Sequence, residues 1–96
     1  MDNELEFPQD SEPNEYRHLS PAWLDALAYG LTSGAKKHPG ETWRGIPAKE
    51  HLARAMRHIN LHLMGDRRDT HLINASMRIM MAYVVTLEQE TGEAIP

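Results

Sequence analysis

The 96-residue sequence contains no cysteine, so it can form neither a disulfide nor a thiolate metal centre. It also has no apolar run of the roughly 18 residues needed to cross a membrane. No basic-then-apolar leader opens the chain. Strict polar–apolar alternation is missing as well, which argues against strands. Met1 to Tyr16 contains no Lys or Arg, although it holds Asp2, Glu4, Glu6, Asp10, Glu12 and Glu15. What remains is a soluble, cytoplasmic protein of one small all-α domain, with no membrane partner and no nucleic-acid partner expected.

The formal net charge of −4 hides a segregation. From Arg17 to Leu87 there are ten Lys/Arg against five acids, so that part carries +5 while the acids crowd the N-terminus. A basic body attracts phosphate-bearing ligands, or simply solvates its own surface. Residues 1–19 contain Pro8 and Pro13 and no apolar period, and read as a flexible acidic arm. Residues 20–91 form the domain and 92–96 a tail.

Three helices are expected. Ser20 is a good N-cap and Pro21 suits the first helical position. Leu24, Leu27, Ala28 and Leu31 follow at helical spacing, and Gly34 is a candidate stop. "HPGETWRGIP" is a loop. A second helix runs over about 47–64 with Leu52, Met56, Ile59 and Leu63 as its apolar stripe. After the short turn "GDRRD", Thr70 caps a third helix that continues to about Glu90. So short a connection predicts an antiparallel helix pair. The third helix is apolar nearly all round, more than two other helices can bury. A homo-oligomer completing this three-helix unit is therefore expected, with Met77, Met80, Met81 and Val84 at the interface.

On a helical wheel His51, Arg54, His58 and His62 share one sector of the second helix, and His71, Asn74 and Arg78 one sector of the third. Facing each other, the two stripes would line a cleft with Asp66 and Asp69 at one end. His58, Asp66, Asp69 and His71 are candidate ligands for a divalent ion, the carboxylates suiting Mg²⁺ or Mn²⁺. Arg54 and Arg78 suit phosphate oxygens. Taken singly, each histidine reads better as a boundary residue hydrogen-bonded to the neighbouring helix; the set points to function, because Arg78 and Asn74 on so apolar a helix need partners if buried. In the preceding loop, Lys36 and Lys37 with Trp43 and Arg44 place basic groups beside an aromatic. That pattern suits a nucleotide, or a tryptophan plugging the end of the bundle.

"LTSGAKKHPGETWRGIP", "HLARAMRHINLHLMGD" and "HLINASMRIM" together resemble the dATP/dGTP diphosphohydrolase N-terminal-domain family. That family is common in phages and related to MazG-like all-α pyrophosphohydrolases. The resemblance spans roughly Leu19 to Val85. It is most specific at Gly34-Ala35-Lys36-Lys37 with Trp43-Arg44, at Arg57-His58, at Gly65-Asp66 and at His71-Leu72. It implies an oligomeric helical protein, in the host cytoplasm if of phage origin. The implied reaction cleaves purine deoxynucleoside triphosphates to monophosphate and pyrophosphate with Mg²⁺-type ions held by carboxylates. By position it implicates Lys36, Lys37, Trp43, Arg57, His58, Asp66, Asp69 and His71.

The residues leave three readings open. As an enzyme, the chain would use Asp66, Asp69 and His58 in catalysis, and Lys36, Lys37, Trp43, Arg44, Arg54, Arg57, Asn74 and Arg78 in substrate binding. As a binding protein, the same groups would sequester a nucleotide or a nucleotide second messenger, as in viral counter-defence. As an interaction protein, its oligomer surface would be its function. Carboxylates are sparse. The second helix offers only Glu50, and the third has none between Asp69 and Glu88.

Overall fold

The computed structural model describes residues 13–96, and the acidic stretch before Pro13 lies outside the described residues. Three helices account for most of it: α1 (Pro21–Lys37), α2 (Ala48–Leu63) and α3 (His71–Thr91). Two 3-10 turns, Tyr16–His18 and Thr42–Gly45, precede α1 and α2. No strand occurs among the described residues, so the unit is all-α. None of these helices is long and apolar enough to cross a membrane.

α1 begins as its sequence dictates. The Ser20 hydroxyl accepts from the Trp23 backbone N–H at 3.2 Å, and Pro21 occupies the first turn. The helix does not stop at Gly34. It runs on to Lys37, and the His38 N–H closes the last turn on the Gly34 carbonyl. Pro39 supplies the stop, because a residue before proline is pushed out of the helical region, and His38 sits at φ −132°, ψ 73°. Gly40 and Glu41 then both adopt left-handed backbone, which reverses the chain and lays the Thr42–Gly45 turn against α3. Thr70 precedes α3 without a side-chain cap. Asp69 takes the Thr70 N–H instead, at 2.7 Å. α3 ends at Gly92, whose φ of 71° is the usual left-handed stop.

α3 is the hub. α2 packs along it most extensively, α1 packs on it more lightly, and the Thr42–Gly45 turn also meets it. α1 and α2 do not pack on each other. His58 meets His71 and His51 meets Arg78, so advancing along α2 means retreating along α3.

The face that α2 turns to α3 differs from the expected one. Leu52, Met56, Ile59 and Leu63 are exposed, at 46%, 69%, 39% and 77% of their full area. The buried residues of α2 are His51 and Ala55. The buried residues of α3 are His71, Ala75, Ala82, Val84 and Val85. The reason is close packing: alanines and flat imidazoles let two backbones approach where leucine and methionine would hold them apart. Val84 is buried and Met77, Met80 and Met81 are half-buried within the chain, so these four do not form a free outer patch.

At the N-terminal end of the described chain the side-chain bonds stay local: Glu15 receives Arg17 at 2.9 Å and lies 3.1 Å from His18. The tail, by contrast, is fastened to the body: Arg44 donates to the Ile95 carbonyl at 2.9 Å, and the Ile95 N–H donates to Glu88 at 2.9 Å.

Candidate functional site

The two polar stripes do meet, but as a closed seam between α2 and α3 rather than as an open cleft. At one end His51 is completely buried. Its Nδ1 lies 3.1 Å from an Arg78 guanidinium nitrogen and its Nε2 lies 2.9 Å from the Trp43 carbonyl. A guanidinium can only donate and a carbonyl only accept. His51 therefore accepts at Nδ1 and donates from Nε2, which fixes its tautomer.

At the other end Asp66, His71 and His58 form a line. His71 Nε2 donates to the Asp66 carboxylate at 3.2 Å, leaving its Nδ1 as a lone pair. His58 Nδ1, at 3.0 Å, must then be the donor, so the lone pair of His58 sits on Nε2. Arg68 wraps Asp66, donating from its backbone N–H at 2.9 Å and from its side-chain Nε at 3.0 Å. Those Arg68 bonds, with help from His71, hold the Asp66 carboxyl well below the usual carboxylate range. Asp69 is also held low, chiefly by the Thr70 N–H. Burial pushes the His58 imidazole below its ordinary value, and the neighbouring His71 and Arg57 add to the shift.

Open space lies elsewhere, between α1 and α3. One cavity of about 340 Å³ has Trp43, His38, Leu31, Met80, Met81 and Arg78 in its walls. A second, more open hollow of about 530 Å³ is bordered by Lys37, Ser33, Tyr29, Asp69 and Asn74. Gly30, Gly34 and Met77 border both, so the two spaces adjoin across the α1–α3 contact. The first falls in the ~300–1,000 Å³ range of small-molecule sites and has their composition, mostly apolar with few polar groups.

Two charged groups border that first cavity, Arg78 and Glu41, and the Glu41 carboxylate is taken up by Arg44 at 2.8 Å. Burial and the nearby Arg54 lower the affinity of Arg78 for its proton, yet a guanidinium remains charged. Among the described residues it pairs with no carboxylate; its recorded partner is the neutral nitrogen of His51. A half-buried cation held by an imidazole keeps donors free for an anion.

The expected site residues separate into groups. Trp43 and Arg78 share the first cavity, while Lys37, Asp69 and Asn74 share the second. Arg54 and Arg57 are exposed on α2, near Arg78 and His58 respectively. Lys36 is exposed and borders neither space. Arg44 lies on the Trp43 ring at 4.6 Å, but its donors go to Glu41 at 2.8 Å, Glu88 at 2.7 Å and the Ile95 carbonyl. It is a strut between loop, α3 and tail, not a free phosphate ligand. His51 was visible in the stripe but not as a link between Trp43 and Arg78. The buried setting that reveals this link comes only from packing.

The proposed metal ligands do not converge. Among the described residues no three His, Asp or Glu side chains surround a common point. Asp66 is used by Arg68 and His71, and His71 spends both ring nitrogens within the line. Mg²⁺ or Mn²⁺ asks for several oxygen donors around one position. Among the described residues the donor set of a single chain does not fit such an ion.

A family model described as "dATP/dGTP diphosphohydrolase, N-terminal" matches residues 4–94. No curated protein and no solved structure matches the chain.

Proposed function

The chain belongs to the dATP/dGTP diphosphohydrolase N-terminal family, and from that premise we propose that it binds a purine deoxynucleoside triphosphate in the cavity between α1 and α3. One observation carries this reading: Arg78 enters the cavity wall as a cation that pairs with no carboxylate among the described residues, in the same cavity as Trp43, while the Glu41 carboxylate there is engaged by Arg44. The indole would lie against the base, and Arg78 would take phosphate oxygens. Lys37, at the adjoining hollow, would meet the rest of the phosphate chain.

Hydrolysis to monophosphate and pyrophosphate is the finer part of the proposal. The Asp66–His71–His58 line would leave His58 Nε2 as a base on the α2–α3 seam, so this reading requires the phosphate chain to extend from the hollow bordered by Asp69 and Asn74 toward that seam. Capture without cleavage is the second reading. It is favoured by the engagement of Asp66 with Arg68 and His71, which leaves no oxygen cage for an ion. We also propose that a second copy covers the exposed Leu52, Met56, Ile59 and Leu63. Among the described residues one chain buries only Ala55, Ala75, Ala82, Val84 and Val85 as apolar core, which is little for a stable domain. A monomer by light scattering at micromolar concentration would refute this.

The deciding experiment incubates the protein with dATP and dGTP, with Mg²⁺, Mn²⁺ or neither, and follows products by chromatography and binding by calorimetry. Binding that disappears in Arg78→Leu supports the nucleotide site. Release of monophosphate and pyrophosphate that disappears in His58→Gln adds the reaction, and ligand recovered intact selects capture. No binding by the wild-type protein refutes the proposal.

A further inference from the structure

His51 is the most deeply buried side chain among the described residues, and it does not border the cavity. Each of its two ring nitrogens nevertheless holds a group that does. Nε2 donates to the backbone carbonyl of Trp43, in the loop after α1, at 2.9 Å. Nδ1 accepts from the Arg78 side chain, on α3, at 3.1 Å. The imidazole also stands edge-on to the Trp43 ring, 6.4 Å between centroids at 72°. The other tie on the Trp43 turn runs from Arg44 to Glu88 and the Ile95 carbonyl and does not reach Arg78, so His51 alone among the described residues is hydrogen-bonded to both groups.

We propose that His51 is the positioning residue of the nucleotide site, a buried bridge that sets Trp43 and Arg78 at the spacing from base to phosphate. The proposal rests on the nucleotide reading given above. The chemistry explains the residue type. The position needs a donor at one end of a rigid side chain and an acceptor at the other, with no net charge placed against Arg78. Leucine or phenylalanine offers neither, lysine and arginine offer donors alone, and a carboxylate would form an ion pair that occupies Arg78. Glutamine can replace both functions through its amide.

The role makes an unusual demand on mutant data. If His51 acts through Arg78 as well as Trp43, the part of its effect carried by Arg78 disappears once Arg78 is gone, so removing both should cost less than the product of the two single losses. A residue that merely supports the fold would instead weaken binding by the same factor whether or not Arg78 is present.

The test has two arms. In the ligand-free protein, ¹⁵N spectra of the ring should show His51 with its proton on Nε2. A proton on Nδ1 would overturn the bridge without any reference to nucleotide. In the second arm, dGTP affinity is measured by titration for the wild type, His51→Phe, His51→Gln, Arg78→Leu and the His51→Phe/Arg78→Leu double variant, all checked for folding by circular dichroism. His51→Phe should weaken binding at least tenfold, His51→Gln should recover most of the loss, and the double variant should lose less than the product of the His51→Phe and Arg78→Leu losses. Additive losses, or no rescue by glutamine, overturn the positioning role while leaving the nucleotide site standing. A wild-type protein that binds no nucleotide overturns the underlying reading, and the positioning role with it.

Discussion

Changing Gly30 to alanine sets a stability gain against a steric cost, and the structure decides between them. Gly30 lies inside α1 with ordinary helical backbone, so alanine costs no backbone strain there. Helix propensity alone would favour it by about 1 kcal/mol. The new Cβ, however, would stand 2.8 Å from Met77 Sδ, 3.1 Å from its Cε and 3.6 Å from Ile73 Cγ2. Overpacking of a rigid core typically costs about 1–3 kcal/mol. Here the obstructing atoms are the far end of a flexible thioether, and swinging it aside costs about 0.5–1.5 kcal/mol. The two terms nearly cancel. The melting temperature should therefore move by less than the ~4–8 °C that 1 kcal/mol produces in a domain of this size. The displaced thioether has to go into one of the two spaces that Gly30 and Met77 jointly border. Calorimetric titration with dATP or dGTP should then show affinity reduced tenfold or more, beside a thermal melt that hardly changes. A large drop in melting temperature would show that α1 cannot yield at this contact. Unchanged affinity would show that the spaces beside Met77 are not where the nucleotide binds.

Two further outcomes follow from the same contacts. Arg44→Ala should lower the urea midpoint, because it releases Glu41, Glu88 and the Ile95 carbonyl together, yet leave nucleotide affinity unchanged; weaker binding at unchanged stability would return Arg44 to the ligand site. Stability should fall with acid in two windows, followed by urea midpoints across pH. His58 is depressed, so the unfolded chain takes up its proton first and stability declines below the ordinary histidine value near 6.5. Asp66 and Asp69 are also depressed, so what they contribute is complete above the ordinary carboxylate value near 4 and is lost as pH falls below it. His58→Gln should remove the upper decline alone. Its persistence would assign that decline to another group.

Local signals in the sequence were sufficient for the helices. Ser20 with Pro21 marks a start, and Gly92 marks an end, without reference to anything distant. The error at Gly34 arose because a glycine permits a stop without requiring one, whereas Pro39 requires it. The wheel correctly grouped His51, His58, His71 and Arg78. Periodicity says which residues share a face, but not which face meets a neighbour. The apolar stripe of α2 looked like the inner face, and the structure turns it outward. That choice is made by Ala75 and Ala82 on α3, which accept a close partner. Arg44 could not be read at all, since its partners Glu88 and Ile95 lie more than forty residues away in sequence. The metal reading treated Asp66 as available, and only the folded turn shows Arg68 closed around it.

The lopsided attachment of α1 has a kinetic meaning. α1 rests on α3 alone, through the light contact around Gly30 and the hydrogen bond from Trp23 Nε1 to Ser76 at 3.2 Å. α2 and α3 are joined along their length, and the Trp43 turn and the tail are fastened to α3 as well. Such a molecule opens in parts. Its amide hydrogens in α1 should exchange ahead of those in α2 and α3, and withdrawal of α1 from α3 would uncover both spaces at once. Ligand entry by that route would need no tunnel.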